Sequence, residues 1–209
     1  VNTASGVRFG GDGNILLFGD GQSLNVLELT PQVIDPVLNV GRVEFKTIYT
    51  YTHPGSYTLS YTEGNRNDGV LNMEASANTP LNTQTRILVE AGICNSTPKL
   101  SVPPVDRACK GVAFYHNPGA VDPDDDSLSY QLVIPQQDQN LSVIGYVLPT
   151  DPRFYGPGFN QGNETHNGPP SISINPVDGT LTWDAPGAIG EYAIAIMVTE
   201  WKLNLPDST

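Results

Sequence analysis

Asp122-Pro123-Asp124-Asp125-Asp126-Ser127-Leu128-Ser129-Tyr130 stacks carboxylates at close spacing and passes directly into an apolar-alternating segment. Like charges this close disfavour one another's ionised form unless a cation or N–H donors neutralise them. Carboxylate oxygens are hard ligands that suit Ca²⁺, which accepts roughly six to eight oxygens in flexible geometry. An EF-hand would need Gly at the sixth position, Glu at the twelfth and a helix behind it. Those positions hold Ser127 and Val133. Leu128, Tyr130, Leu132 and Ile134 instead alternate as in a half-buried strand. The acids therefore sit on a loop entering a β-strand, with a solvated acidic turn as the alternative to a calcium loop.

Around this run the composition is that of an all-β protein. The chain has 209 residues and a net charge of −12, with 21 Gly and 18 Pro. Thr, Val and Tyr recur while Ala-Leu-Glu-Lys helical runs are missing, which favours short strands joined by punctuated turns. Phosphate contacts require clustered Lys and Arg, and there is no such cluster, so nucleic acid is not an expected partner. No apolar run is long enough to span a bilayer, so no membrane insertion is expected. The chain opens on Val1 without a signal peptide and reads as a mature fragment or an excised segment of something longer.

Apolar alternation bounded by Gly, Pro, Asn and Asp predicts strands at 14–18, 24–29, 43–51, 56–61, 70–73 and 85–90 in a first half. The interval 91–104 is rich in Pro, Ser and Asn and reads as a linker. The second half repeats the pattern, with strands expected at 112–114, 128–134, 143–148, 171–174, 180–183 and 191–201. In the last of these, Tyr192, Ile194, Ile196 and Val198 share one face while Ala193, Ala195 and Met197 share the other, the pattern of a central strand covered on both faces or one at a domain contact. The expected division is 1–93 and 94–209. Two tandem sandwiches of short strands match the immunoglobulin-like architecture.

Cys94 and Cys109 are the only cysteines. Two buried free thiols are one reading. A disulfide is the other, favoured by the extracellular, oxidising setting that calcium loops and acidic surfaces fit; closing so short a loop contributes on the order of 3 kcal/mol.

In the first half, Leu17-Phe18-Gly19-Asp20-Gly21 is a tight turn after an apolar strand, and Pro54-Gly55 turns the chain within Tyr49-Thr50-Tyr51-Thr52-His53-Pro54-Gly55-Ser56-Tyr57-Thr58-Leu59. Together they resemble polycystic-kidney-disease-type (PKD) domains, with Leu16 where that family usually has Trp. The resemblance implies an Ig-like sandwich that acts as an extracellular spacer or interaction module, with Asp20 as a turn residue. In the second half, Phe114-Tyr115-His116-Asn117-Pro118-Gly119-Ala120 and the acidic run resemble cadherin-like Ig modules of bacterial surface proteins. Ile174-Asn175-Pro176-Val177-Asp178-Gly179-Thr180-Leu181-Thr182-Trp183 and Gly190-Glu191-Tyr192 extend that resemblance over most of this half. It implies that Asp122, Asp124 and Asp126 bind Ca²⁺ beside a polar group from the linker, a position matched by Asn95. Asp125 stands where the family has Gly, at a position that calls for the left-handed conformation Asp tolerates. A shared ion of this kind implies a calcium-stiffened rod.

Arg66-Asn67-Asp68-Gly69-Val70-Leu71-Asn72-Met73, Ala77-Asn78-Thr79-Pro80-Leu81 and the His116–Ala120 phrase together resemble a tandem found in very large gliding-motility surface adhesins of Bacteroidetes. That resemblance implies a non-enzymatic cell-surface segment exported by the type IX system, with neighbouring repeats of the same long chain as partners and cell-surface glycans or other proteins as further ones. His53, His116 and His166 lack zinc spacing, and Gly10-Gly11-Asp12-Gly13 lacks the Lys and helix of a phosphate loop. The long strandless stretch 154–170 carries Phe154, Tyr155 and Phe159, either a platform for sugar rings or another protein, or a cap on a sandwich end. Two other readings follow: a carbohydrate-binding accessory module of a secreted hydrolase using that loop, and a self-assembling surface filament subunit.

Overall fold

The structure is a computed structural model and describes residues 9–11, 13–37, 40–64 and 66–202. Among them the strands are β1 (Ile15–Leu17), β2 (Ser23–Asn25), β3 (Gln32–Asp35), β4 (Val40–Arg42), β5 (Gly55–Glu63), β6 (Leu81–Val89), β7 (Lys99–Leu100) and β8 (Phe114–His116). They continue with β9 (Ala120–Val121), β10 (Ser127–Val133), β11 (Gln136–Asp138), β12 (Leu141–Ser142), β13 (Ser171–Ile174), β14 (Leu181–Asp184) and β15 (Ala195–Trp201). Helix is confined to short 3₁₀ turns, so the chain is all-β. No described helix is long and apolar enough to cross a membrane.

The chain forms two compact units, and neither is one continuous stretch. The first comprises Val1–Gly69, Glu74–Cys94 and Pro135–Ile144; the second comprises Val70–Met73, Asn95–Ile134 and Gly145–Thr209. The division expected from the sequence is a single cut between residues 93 and 94. In the structure each unit also takes a short segment from the other half.

The first unit is built on a six-stranded antiparallel sheet in the order β12-β11-β6-β5-β1-β2. Its spine is the β5–β6 ladder, in register from Gly55↔Val89 to Glu63↔Leu81. Alternating Tyr, Thr and Leu suit that pleated surface. Phe18 and Val26 are buried, and Ser60 and Asn82 meet inside through a 2.8 Å hydrogen bond from Asn82 Nδ2 to Ser60 Oγ. Gly19 needs to be glycine: its φ is 85°, and a Cβ there would lie 2.7 Å from the Thr58 backbone. The strand expected at 43–51 is absent, since these residues have no ladder partners. Tyr49 stacks on Phe18 at 3.8 Å and Tyr51 stacks on Tyr57 at 4.1 Å, so the aromatic alternation there serves ring packing.

The second unit holds the β10–β15 pair, the β13-β14-β8 sheet and the β7–β9 pair. Trp183 is buried, meets Tyr192 edge-on at 4.9 Å and donates from Nε1 to the Tyr155 hydroxyl at 3.1 Å. Gly179 takes φ 77°, and a Cβ there would run into the Tyr130 ring at 2.6 Å. The last strand begins at Ala195, later than expected, and among the described residues pairs only with β10. It is not a central strand: Met197 is exposed, so one of its two apolar faces stays partly in solvent. Residues 70–73 form one parallel bridge, Val70↔Glu191, in place of a strand, and 143–148 hold a turn at 144–145 and no ladder.

Candidate metal centre

The acidic loop hangs between β9 and β10. Pro123 restricts the backbone at its start, and Asp122 then folds the loop around its own side chain. Asp122 Oδ1 accepts from the backbone N–H of Asp124 at 2.8 Å and of Asp126 at 3.3 Å, the geometry of an Asx turn. Asp125 lies at φ 62°, the left-handed conformation its position calls for. The residue that organises the loop is itself out of solvent: Asp122 is 6% exposed. Its second oxygen, Oδ2, is buried and has no hydrogen-bond partner. A buried acceptor left unmade costs about 1–3 kcal/mol, and more when it bears charge.

Two further carboxylates are met by N–H groups from the start of the second unit's main segment. Ser96 N donates to Asp124 Oδ2 at 2.5 Å, and Asn95 Nδ2 donates to Glu200 Oε1 at 2.7 Å. Glu200 reaches the loop through strand register: it sits on β15 opposite Leu128 of β10. Asp126 lies just before β10, at the same end of the ladder as Glu200. The Glu200 carboxyl is held above its ordinary value first by burial; the Asn95 hydrogen bond opposes this, and the charges of Asp122 and Asp126 and a hydrogen bond shared with Asp126 add to it. Thus Asp122, Asp126 and Glu200 act on one another electrostatically, while Asp124 lies on the exposed rim.

The oxygen-rich donor set and the orphaned Asp122 oxygen fit a hard divalent cation. Among the described residues, no three His, Cys, Asp or Glu side chains converge closely enough to form a finished coordination group as they stand. Asn95 precedes Ser96, which meets the loop at Asp124, and its own amide nitrogen faces Glu200. The sequence does not single out Glu200, whose segment is marked by its apolar positions. The available signal was a lone acid near the end of an otherwise apolar strand; what sequence cannot supply is the register that sets it opposite Leu128.

The remaining candidates lie elsewhere. Cys94 and Cys109 are exposed free thiols, where the sequence reading favoured a bond between them. Neither lies in a strand that would hold it in fixed register with a partner. Phe154 packs edge-on against Tyr192 at 5.2 Å, and Tyr155 meets Phe159 at 6.1 Å. The Tyr155 hydroxyl donates to the Ala185 carbonyl at 2.7 Å while accepting from Trp183. The loop is tied further by Asp184 Oδ1, which accepts from Glu164 N at 2.7 Å, and by Glu164 Oε1, which accepts from Ala113 N at 3.2 Å. Its aromatic rings are half-buried and engaged with the unit beneath them.

No protein-family model, curated protein or solved structure matches this chain.

Proposed function

We propose that the Asp122–Asp126 loop binds Ca²⁺ through Asp122, Asp124 and Asp126, beside Asn95, and that the chain is a non-enzymatic, calcium-stabilised segment of an extracellular adhesin. On this reading its two units are Ig-like sandwiches, the first PKD-like and the second cadherin-like. They extend and display a longer surface protein exported by type IX secretion. Neighbouring repeats of that protein are the immediate partners, and cell-surface glycans or proteins lie beyond them. The observation that carries the cation reading is the buried, partnerless Oδ2 of Asp122. A carboxylate oxygen withdrawn from water needs a compensating partner, and a divalent cation is one that neighbouring carboxylates also accept.

A cation bound only by the folded chain raises stability by mass action, about 2.7 kcal/mol at a hundredfold excess over Kd. Thermal melts in millimolar Ca²⁺ and in chelator test this. The expected result is a higher Tm with Ca²⁺ for the wild type and no response for Asp122→Asn. Superimposable wild-type melts would leave the run as an acidic turn.

A further inference from the structure

We propose that Glu200 is a ligand of the cation bound by the Asp122–Asp126 loop, and that Asn95 serves by positioning the Glu200 carboxylate. The inference rests on the cation reading above and adds to it a donor from the far end of the second unit's chain.

Three independent features converge on Glu200. First, the β10–β15 register holds it opposite Leu128, at the end of the ladder that Asp126, the last acid of the loop, immediately precedes. This placement is set by a ladder running from Ser127↔Trp201 to Val133↔Ala195, and the Trp201 Nε1 hydrogen bond to Ser129 Oγ at 2.7 Å pins its end. Second, the neighbouring residues Asn95 and Ser96 hold Glu200 Oε1 and Asp124 Oδ2 respectively, so one short segment meets both the strand acid and the loop whose Asp122 Oδ2 is buried and without a partner. Carboxylates held near one another repel, and a shared divalent cation turns that repulsion into attraction. Third, Asn95 spends its amide N–H on Glu200 Oε1 at 2.7 Å. An amide that donates to a carboxylate holds that carboxylate's orientation. Outer partners of this kind commonly tune metal affinity.

The consequence is a site drawn from two distant parts of one unit. Asp122, Asp124 and Asp126 come from the loop before β10, and Glu200 comes from β15. Binding then fastens the end of the last strand to the start of its partner, a pair otherwise held by ladder hydrogen bonds.

The test is a titration of the intact chain with Ca²⁺ by calorimetry, repeated by displacement of Tb³⁺ whose luminescence is sensitised through tryptophan. Wild type, Glu200→Gln, Glu200→Asp, Asn95→Ala and Asp122→Asn are compared, each checked for fold by circular dichroism in chelator. Glu200→Gln is expected to weaken Ca²⁺ binding by roughly tenfold or more, the scale on which ligand charge sets calcium affinity. Glu200→Asp keeps the charge at shorter reach and recovers part of the loss. It also stands in should Glu200→Gln fail to fold. Asn95→Ala weakens binding less than Glu200→Gln. Wild-type binding that is lost in Asp122→Asn but unchanged in both Glu200 variants overturns the role of Glu200 and leaves the loop site standing. A larger loss in Asn95→Ala than in Glu200→Gln overturns the assignment of roles. Wild type that binds neither Ca²⁺ nor Tb³⁺ overturns both the inference and the reading beneath it.

Discussion

Asn72 and Ala193 exchange a matched pair of hydrogen bonds. Asn72 Nδ2 donates to the Ala193 carbonyl at 2.8 Å, and Ala193 N donates back to Asn72 Oδ1 at 2.8 Å. The same amide nitrogen also reaches the Val147 carbonyl at 3.2 Å, and Val147 N donates to the Asn72 carbonyl at 3.1 Å. Asn72 is fully buried. Its side chain thus does for an irregular backbone what a neighbouring strand would do, satisfying three main-chain groups inside the second unit.

Replacing Asn72 by Ala removes those bonds without admitting water and strands the Ala193 N–H and carbonyl. An expected loss of roughly 3–5 kcal/mol follows from leaving several buried polar groups unmade. Urea unfolding measures it as a lower midpoint at unchanged slope. Asn72→Asp keeps the acceptor for Ala193 N but loses both donations, so it is also expected to destabilise.

The raised Glu200 carboxyl predicts a pH slope in chelator. An acid whose pKa is higher folded than unfolded keeps its proton longer in the native state. Stability linked to it is therefore greatest below the ordinary value of 4.5 and falls as pH rises through the elevated native value. Melting temperatures measured from pH 4 upward should decline more steeply for the wild type than for Glu200→Gln, and saturating Ca²⁺ should flatten the difference. Parallel profiles would contradict the coupling of Glu200 to Asp122 and Asp126.

Tyr155 offers a test of what the long loop does. Its hydroxyl sits between the Trp183 N–H and the Ala185 carbonyl, so Tyr155→Phe leaves both without that partner. A loss of about 1–3 kcal/mol is expected, read from denaturant unfolding with Trp183 fluorescence as the probe. A loop built chiefly to receive sugars would instead show altered retention on a glycan array with little change in stability.

Residues 1–94 and 95–209 produced separately are not expected to fold. The first fragment lacks Pro135–Ile144, whose β11 pairs with β6 at Gln136↔Asn82 and whose Gln136 carbonyl accepts from Arg66 Nη2 at 3.4 Å. The second lacks Asn72. Circular dichroism of each fragment, alone and mixed, checks this. A cooperative melt from either one alone would show that the borrowed segment is dispensable.

Features that depend on near neighbours were legible in the sequence. Asp122, Pro123 and the alternation from Leu128 onward placed a loop before a strand because each cue lies within a few residues of the next. Leu17–Gly21 announced its turn for the same reason. The segment 43–51 misled because alternating aromatics look alike whether they line a strand face or stack on Phe18 and Tyr57. Glu200 and Asn72 were silent for a different reason. Their roles arise from pairings across 105 residues to Asn95 and across 121 residues to Ala193, and no local pattern encodes that register.

The traded segments, Val70–Met73 and Pro135–Ile144, also bear on how such a sequence can be copied or recombined. A genetic crossover at the Cys94–Asn95 junction would carry away one unit's Asn72 and leave behind the other's β11 and β12. Exchange with an unrelated module there would deliver two incomplete partners. The heritable cassette therefore includes both halves together, and a protein engineer who wants to graft one must move the other with it.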